Sequence, residues 1–163
     1  MREIKVKLYQ FDELSEDAKE KARQWFREGN DGYFEWEHVQ EDAKTIGLEI
    51  QSLDHHRANR GGFITSAPEC IEDILANHGE SCDTYKTAKK YEPTFKELEA
   101  MRDNDDEKFD DAFANAEYGF LYDLLEDYRA ILEREMDHLN SNEYIDEIIT
   151  VNEYEFTEDG KRA

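Results

Sequence analysis

The sequence predicts an α+β domain: a small, mainly antiparallel sheet packed by several helices, one of them long, amphipathic and acidic. Three observations carry this. Between Glu117 and Leu139 the apolar residues Phe120, Leu121, Leu124, Leu125, Tyr128, Ile131, Leu132, Met136 and Leu139 recur at spacings of three and four, one broad helical stripe. Short segments at the start, middle and end of the chain alternate apolar and polar residues, the strand period. Two prolines and eight glycines among 163 residues leave little room for linkers. The length suits a single domain, 1–163, read as a strand-helix-helix-hairpin part (1–66) and a strongly acidic helical part ending in a strand (67–163).

Ile4, Val6 and Leu8 alternate with Lys5, Lys7 and Tyr9 as a half-buried strand, with Phe11 continuing inward. Ser15 is an N-cap for a helix whose first turn holds Glu16 and Asp17, where carboxylates suit the positive end of the dipole. Ala18, Ala22, Trp25 and Phe26 form its apolar face, and Gly29-Asn30 ends it. A second helix follows Asp31-Gly32, with Tyr33, Trp36, Val39, Ala43 and Ile46 inward, and stops at Gly47. Leu48 to Leu53 is a strand that returns over Phe63–Ser66 after the polar loop 54–62, making a hairpin.

Ala67-Pro68 opens a short helix with Cys70, Ile71, Ile74 and Leu75 inward, closed by Gly79. The pattern from Glu80 to Glu92 is weak, and Lys86, Lys89 and Lys90 make it locally basic. Pro93 is expected at the start of the next helix, which turns Phe95, Leu98 and Met101 inward. Phe109 and Phe113 mark the resumption of helix into the long stripe, with Gly119 a candidate bend. Asn140-Ser-Asn142 stops one helix and starts another carrying Tyr144, Ile145, Ile148 and Ile149, and Tyr154 and Phe156 define a last strand.

The chain carries 42 Asp+Glu against 20 Lys+Arg, a formal net charge of −22. Residues 1–66 hold 14 acids and 10 bases, a net of −4, whereas 67–163 hold 28 and 10, a net of −18. Such a surplus repels phosphate, so direct binding of nucleic acid or anionic lipid is not expected. No apolar leader or membrane-length run is present, and two cysteines without a CxxC pair make no disulfide framework. A cytoplasmic protein with reduced thiols is expected.

No metal, cofactor or catalytic role is expected. His55-His56 beside Asp54 read as an exposed loop, and Gly79 separates His78 from Cys82. HExxH, zinc-type spacing, GxSxG and P-loop motifs are all missing from the sequence. What stands out is acid. Asp103, Asp105, Asp106, Glu107, Asp110 and Asp111 precede a carboxylate rail opposite the apolar stripe, formed by Glu117, Asp123, Glu126, Asp127, Glu133, Glu135 and Asp137. Leu125 and Ile131 are expected in the core and Asp127 on the opposite, solvated face. Helical acids three or four apart stand about 5–6 Å from one another. B-DNA presents a phosphate per roughly 3.4 Å of rise on each strand, so the array has comparable spacing.

The opening Ile4-Lys-Val-Lys-Leu-Tyr-Gln-Phe-Asp-Glu-Leu-Ser-Glu-Asp-Ala-Lys-Glu-Lys-Ala22 and the closing Asn152-Glu-Tyr-Glu-Phe-Thr-Glu-Asp-Gly-Lys161 resemble a family of small acidic bacteriophage and prophage proteins, some labelled antitoxin-like. The resemblance implies a phage setting and transfers no functional residue. Charge and setting together give the expected function. It is a non-enzymatic anti-defence protein of anti-CRISPR or anti-restriction type, occupying the basic nucleic-acid channel of a host nuclease or CRISPR effector as a DNA mimic. The alternative is an antitoxin or regulator that covers a basic toxin or other host protein.

Overall fold

Capping residues and apolar spacing set most of the helices. The computed structural model describes residues 4–30, 36–53, 58–102 and 106–163. In chain order these form β1 (Tyr9–Gln10), a 3-10 turn (Phe11–Glu13), α1 (Glu16–Gly29), α2 (Glu37–Thr45), β2 (Leu48–Ser52), β3 (Arg60–Phe63), α3 (Ala67–Asn77), α4 (Asp83–Met101), α5 (Asp106–Leu139), α6 (Asn142–Val151) and β4 (Glu155–Phe156). The α+β class holds, with the strands divided between two separate antiparallel pairs, β1–β4 and β2–β3.

The chain divides into two compact units that do not follow the 66/67 division of charge. The terminal unit joins Met1–Phe34 to Arg134–Ala163, and the central unit, central in sequence, is Glu35–Glu133. The boundary therefore falls within α5.

In the terminal unit Ser15 caps α1 by accepting from the Ala18 N–H, and Ser141 caps α6 by accepting from Tyr144. These helices pack together, and Phe11, Leu14, Ala18, Ala22, Ile145, Ile149 and Phe156 form the core. Arg23 locks the two helices with a bidentate pair, Nε to Asp146 Oδ1 at 2.6 Å and Nη2 to Oδ2 at 2.7 Å. β4 supplies Phe156, in register with Tyr9.

The expected strand over Ile4–Leu8 is not formed. The cause lies at the far end of the chain. After Phe156 the chain turns: Thr157 N–H donates to Lys161 O, and Gly160 N–H to Thr157 O, each at 2.9 Å. That turn carries Arg162 to the other edge of β4, so β4 offers residues 4–8 no continuation. Ile4, Val6 and Leu8 are left 84%, 61% and 40% exposed. Tyr9 packs against the core instead, one residue out of phase with the expected inward set. Gly160 is held at φ 84°, and a Cβ there would lie 2.1 Å from Ala18 O, so no other residue fits the turn.

The central unit is built on the first part of α5. Phe120, Leu124, Leu125, Tyr128 and Leu132 are buried, while Leu121 and Ile131 are half-buried rather than fully in the core. Met136 and Leu139, expected on the buried stripe, are exposed; the stripe's last turns belong to the other unit. Phe120 is the hub, stacked on Phe63 of β3 at 5.5 Å and packed on Tyr91 and Phe95 of α4 at 5.3 and 6.1 Å. At Gly119, the candidate bend, an added Cβ would lie 3.0 Å from the Tyr91 hydroxyl oxygen.

Leu48 and Ile50 are buried as expected, but their partner strand is Arg60–Phe63 rather than Phe63–Ser66. Gly61 and Gly62, read as loop, lie in the ladder, and Ile64 is exposed. Tyr33 and the His55-His56 loop lie outside the described residues.

Pro93 does not start a helix; α4 runs through it from Asp83. The inward face is Thr84, Ala88, Tyr91, Phe95 and Leu98, an unbroken four-three repeat. Pro93 and Lys89 are both exposed, so the carbonyl that loses its amide partner faces water. Met101, expected inward, is exposed beyond the last buried turn.

Candidate functional site

The acidic residues of α5 are the candidate site, and packing sorts them into two groups. Glu107, Asp110 and Asp111 are exposed on the first turns of the helix. Their spacings of three and four put Asp110 and Asp111 beside Glu107 on one side. Glu107, in the first turn, also complements the positive end of the helix dipole, which is a structural role in itself. Asp103 and Asp105 lie outside the described residues, as does the side chain of Asp106.

The rail beyond them is not a solvated face. Asp123 accepts from the Tyr91 hydroxyl and from Lys90 Nζ, each at 2.9 Å. Glu126 accepts from Asn59 Nδ2 and Arg129 Nη2, both at 2.7 Å, and Arg129 Nη1 reaches Glu133 at 2.9 Å. Asp127, expected opposite the core, is half-buried and accepts from Thr87 Oγ1 at 2.6 Å. Burial pushes its carboxyl above the ordinary value of 3.8; the Thr87 bond works against this, and Asp83 and Asp123 add to it. Glu117 is half-buried. Asp137 is exposed but belongs to the terminal unit.

These contacts also quieten the basic stretch on α4. Lys90 is paired with Asp123, and Lys89 and Lys96 stand 3.6 and 3.5 Å from Glu92. The sequence could not show the pairing, because every partner except Glu92 and Arg129 is more than 30 residues away in the chain.

Near Glu107 and Asp110 in sequence, Phe109 and Phe113 contribute to a groove of about 380 Å³. Phe95 and Ile71 also line it, with Lys96, Arg102 and three glutamates at 72, 92 and 99. Phe95 meets Phe113 edge-on at 5.4 Å, and the Arg102 guanidinium lies 5.9 Å from the Phe109 ring centre. In the sequence Phe109 and Phe113 mark only the resumption of a helix, and their i, i+4 spacing gives no hint of an opening.

One constellation resembles a nucleophilic triad. His78 Nδ1 lies 2.6 Å from Thr84 Oγ1, and its Nε2 lies 3.7 Å from Asp42 Oδ2. Thr84, however, is 3% exposed and faces the core at the start of α4. A substrate cannot reach its hydroxyl, so this arrangement holds α3 to α4. Asp42 is fixed by the Tyr128 hydroxyl, which donates to it at 2.8 Å. Burial, reinforced by Asp42, raises the Tyr128 pKa, and burial pushes the Cys70 thiol up to about 12, the opposite of an activated thiolate. Cys82 is exposed at the N-cap of α4. Among the described residues no group of three or more His, Cys, Asp or Glu is placed to hold a metal ion, and no helix is long and apolar enough to cross a membrane.

Comparison of the chain with protein-family models, with curated proteins and with solved structures found no match.

Proposed function

We propose that this is a non-enzymatic phage anti-defence protein that binds the basic nucleic-acid channel of a host nuclease or CRISPR effector. The observation that carries the reading is charge: the central unit holds 25 Asp+Glu against 10 Lys+Arg, a net of −15, and the terminal unit 17 against 10, a net of −7. Cationic channels attract such a surface from a distance, so association is fast and weakens with salt. Glu107, Asp110 and Asp111 are the exposed acids of this set on described side chains of the central unit, and they form the expected contact. The neighbouring groove offers an apolar seat for one anchoring side chain of the partner.

A specific observation favours a second reading. Asp123, Glu126, Asp127 and Glu133 are engaged within the fold, which shortens the free array below what a long DNA-like surface would present. A compact acidic patch suits a regulator or antitoxin that covers a small basic protein.

Affinity capture from bacterial lysate, comparing wild type with the combined Glu107→Lys, Asp110→Lys, Asp111→Lys variant, separates these outcomes. The expected partner is a nuclease, lost with the variant and displaced by double-stranded DNA. A partner without a nucleic-acid site, also lost with the variant, replaces this reading with the antitoxin one. A partner retained by the variant at unchanged salt dependence removes the acidic turn from the interface.

A further inference from the structure

The segment before β1 is the opposite of the rest of the chain. Residues 1–10 hold three Lys+Arg and one Glu, a net of +2, in a protein of net −22. Ile4, Val6 and Leu8 are exposed, and residues 4–8 pair with no strand among the described residues. The segment nevertheless runs straight into β1, whose Tyr9 is already in register with Phe156. Lys7 lies over the Tyr9 ring, its Nζ 4.8 Å from the centre, which sets Lys7 on the Tyr9 side of the chain. The pairing edge has a defined end, because Glu13 Oε2 accepts from the Gln10 N–H at 2.8 Å and so occupies that donor.

Unpaired strand edges invite another strand, and alternating side chains select which one. A second copy's arm is a poor fit. Antiparallel pairing that keeps Ile4, Val6 and Leu8 on one face sets Lys5 opposite Lys7, or a lysine opposite its own copy, and like charges directly opposite destabilise a pair. A strand with carboxylates at those positions turns each clash into an attraction, while its apolar residues cover Ile4, Val6 and Leu8.

We propose that residues 4–8, continuous with β1, are a strand-addition site for an extended acidic partner segment in which apolar residues alternate with Asp or Glu. This interface is independent of the acidic turn of α5, and failure of either reading leaves the other standing.

The test uses the full chain and a labelled peptide of alternating Glu and Val, about seven residues long so as to overlap the arm at both ends. Fluorescence anisotropy should detect binding, and amide exchange should slow at residues 4–8. Lys5→Glu combined with Lys7→Glu should weaken binding at least about tenfold, since two attractive cross-strand pairs become repulsive. That double variant should instead bind the matching Lys-Val peptide. Val6→Pro should abolish binding with the circular dichroism spectrum unchanged, because proline removes a ladder donor. Equal affinity of the wild type for both peptides, protection elsewhere than the arm, or binding that survives Val6→Pro would overturn the proposal. So would self-association of the wild type that Val6→Pro abolishes, since the arm's occupant would then be a second copy.

Discussion

In the terminal unit, charged groups are matched to partners. Arg23 grips Asp146 with both arms of its guanidinium, the Arg23 bond together with Arg27 holds Glu20 below the usual carboxylate range, and Thr157 followed by Lys161 does the same for Asp159. In the central unit Asp127 is held the other way, half-buried against a neutral threonine and pushed up by burial with Asp83 and Asp123 nearby. Asp127 therefore responds to acid with the opposite sign to Glu20 and Asp159. Partners also meet Asp123, Glu126 and Glu133 in the central unit, so the contrast rests on Asp127, half-buried against a neutral hydroxyl in a unit of net charge −15.

The largest expected effect tests the central core. Leu125→Ala should cost about 2–5 kcal/mol in denaturant unfolding, as a large-to-small change at a buried site. A loss below about 1 kcal/mol would mean that α5 is not the spine of this unit. Gly160→Ala probes the other unit and should cost about 2–4 kcal/mol, combining a left-handed backbone with a clash at Ala18 O. Amide exchange should speed up in α6 and at β4; unchanged protection there would detach the turn from that core.

Smaller in size is the loss from Arg23→Lys, about 1 kcal/mol, because a point ammonium cannot replace two parallel bonds to Asp146. If the lysine variant matched wild type in urea, the terminal unit would owe its stability to packing alone. The smallest effect at neutral pH is the most discriminating. A carboxyl raised in the folded state binds its proton more tightly there than in the unfolded chain. Its contribution is thus fully present below the unfolded value near 3.8 and fades as pH rises through the folded one. Asp127→Asn should leave stability at pH 7 unchanged or slightly higher, within about 0.5 kcal/mol, and the wild type should gain on the variant as pH is lowered toward 3.8. A wild type that instead lost ground to the variant over that range would show Asp127 to be held as a stabilised anion.

How far the sequence could be read depended on the range of the interactions. Ser15 and Asn140-Ser-Asn142 are local signals, and α1 and α6 begin where they predict. α4 was illegible before Pro93 because its inward positions there are Thr84, Ala88 and Tyr91, two of them too small or polar to register as a stripe. The alternation of Ile4, Val6 and Leu8 is real, but the turn denying it a partner lies about 150 residues downstream in a chain folded back on itself. The candidate site suffered most. The acids were visible, whereas Thr87, Tyr91 and Asn59, which remove three of them from the free surface, are set by helix and strand packing.

The division of the chain also fixes an order of events during its synthesis. Phe11, Leu14, Ala18 and Ala22 are made early, but Ile145, Ile149 and Phe156, which cover them, follow the 99 residues of the central unit. At about 5–20 residues per second, translation takes roughly 5–20 s to cross that interval. The amphipathic α1 thus leaves the ribosome with its apolar face uncovered, while the central unit has all its own residues in hand first. The later-made segment closes the earlier one, and a ribosome stalled between Glu133 and Ile145 leaves a nascent chain whose central unit is fully synthesised while the apolar face of α1 is still uncovered.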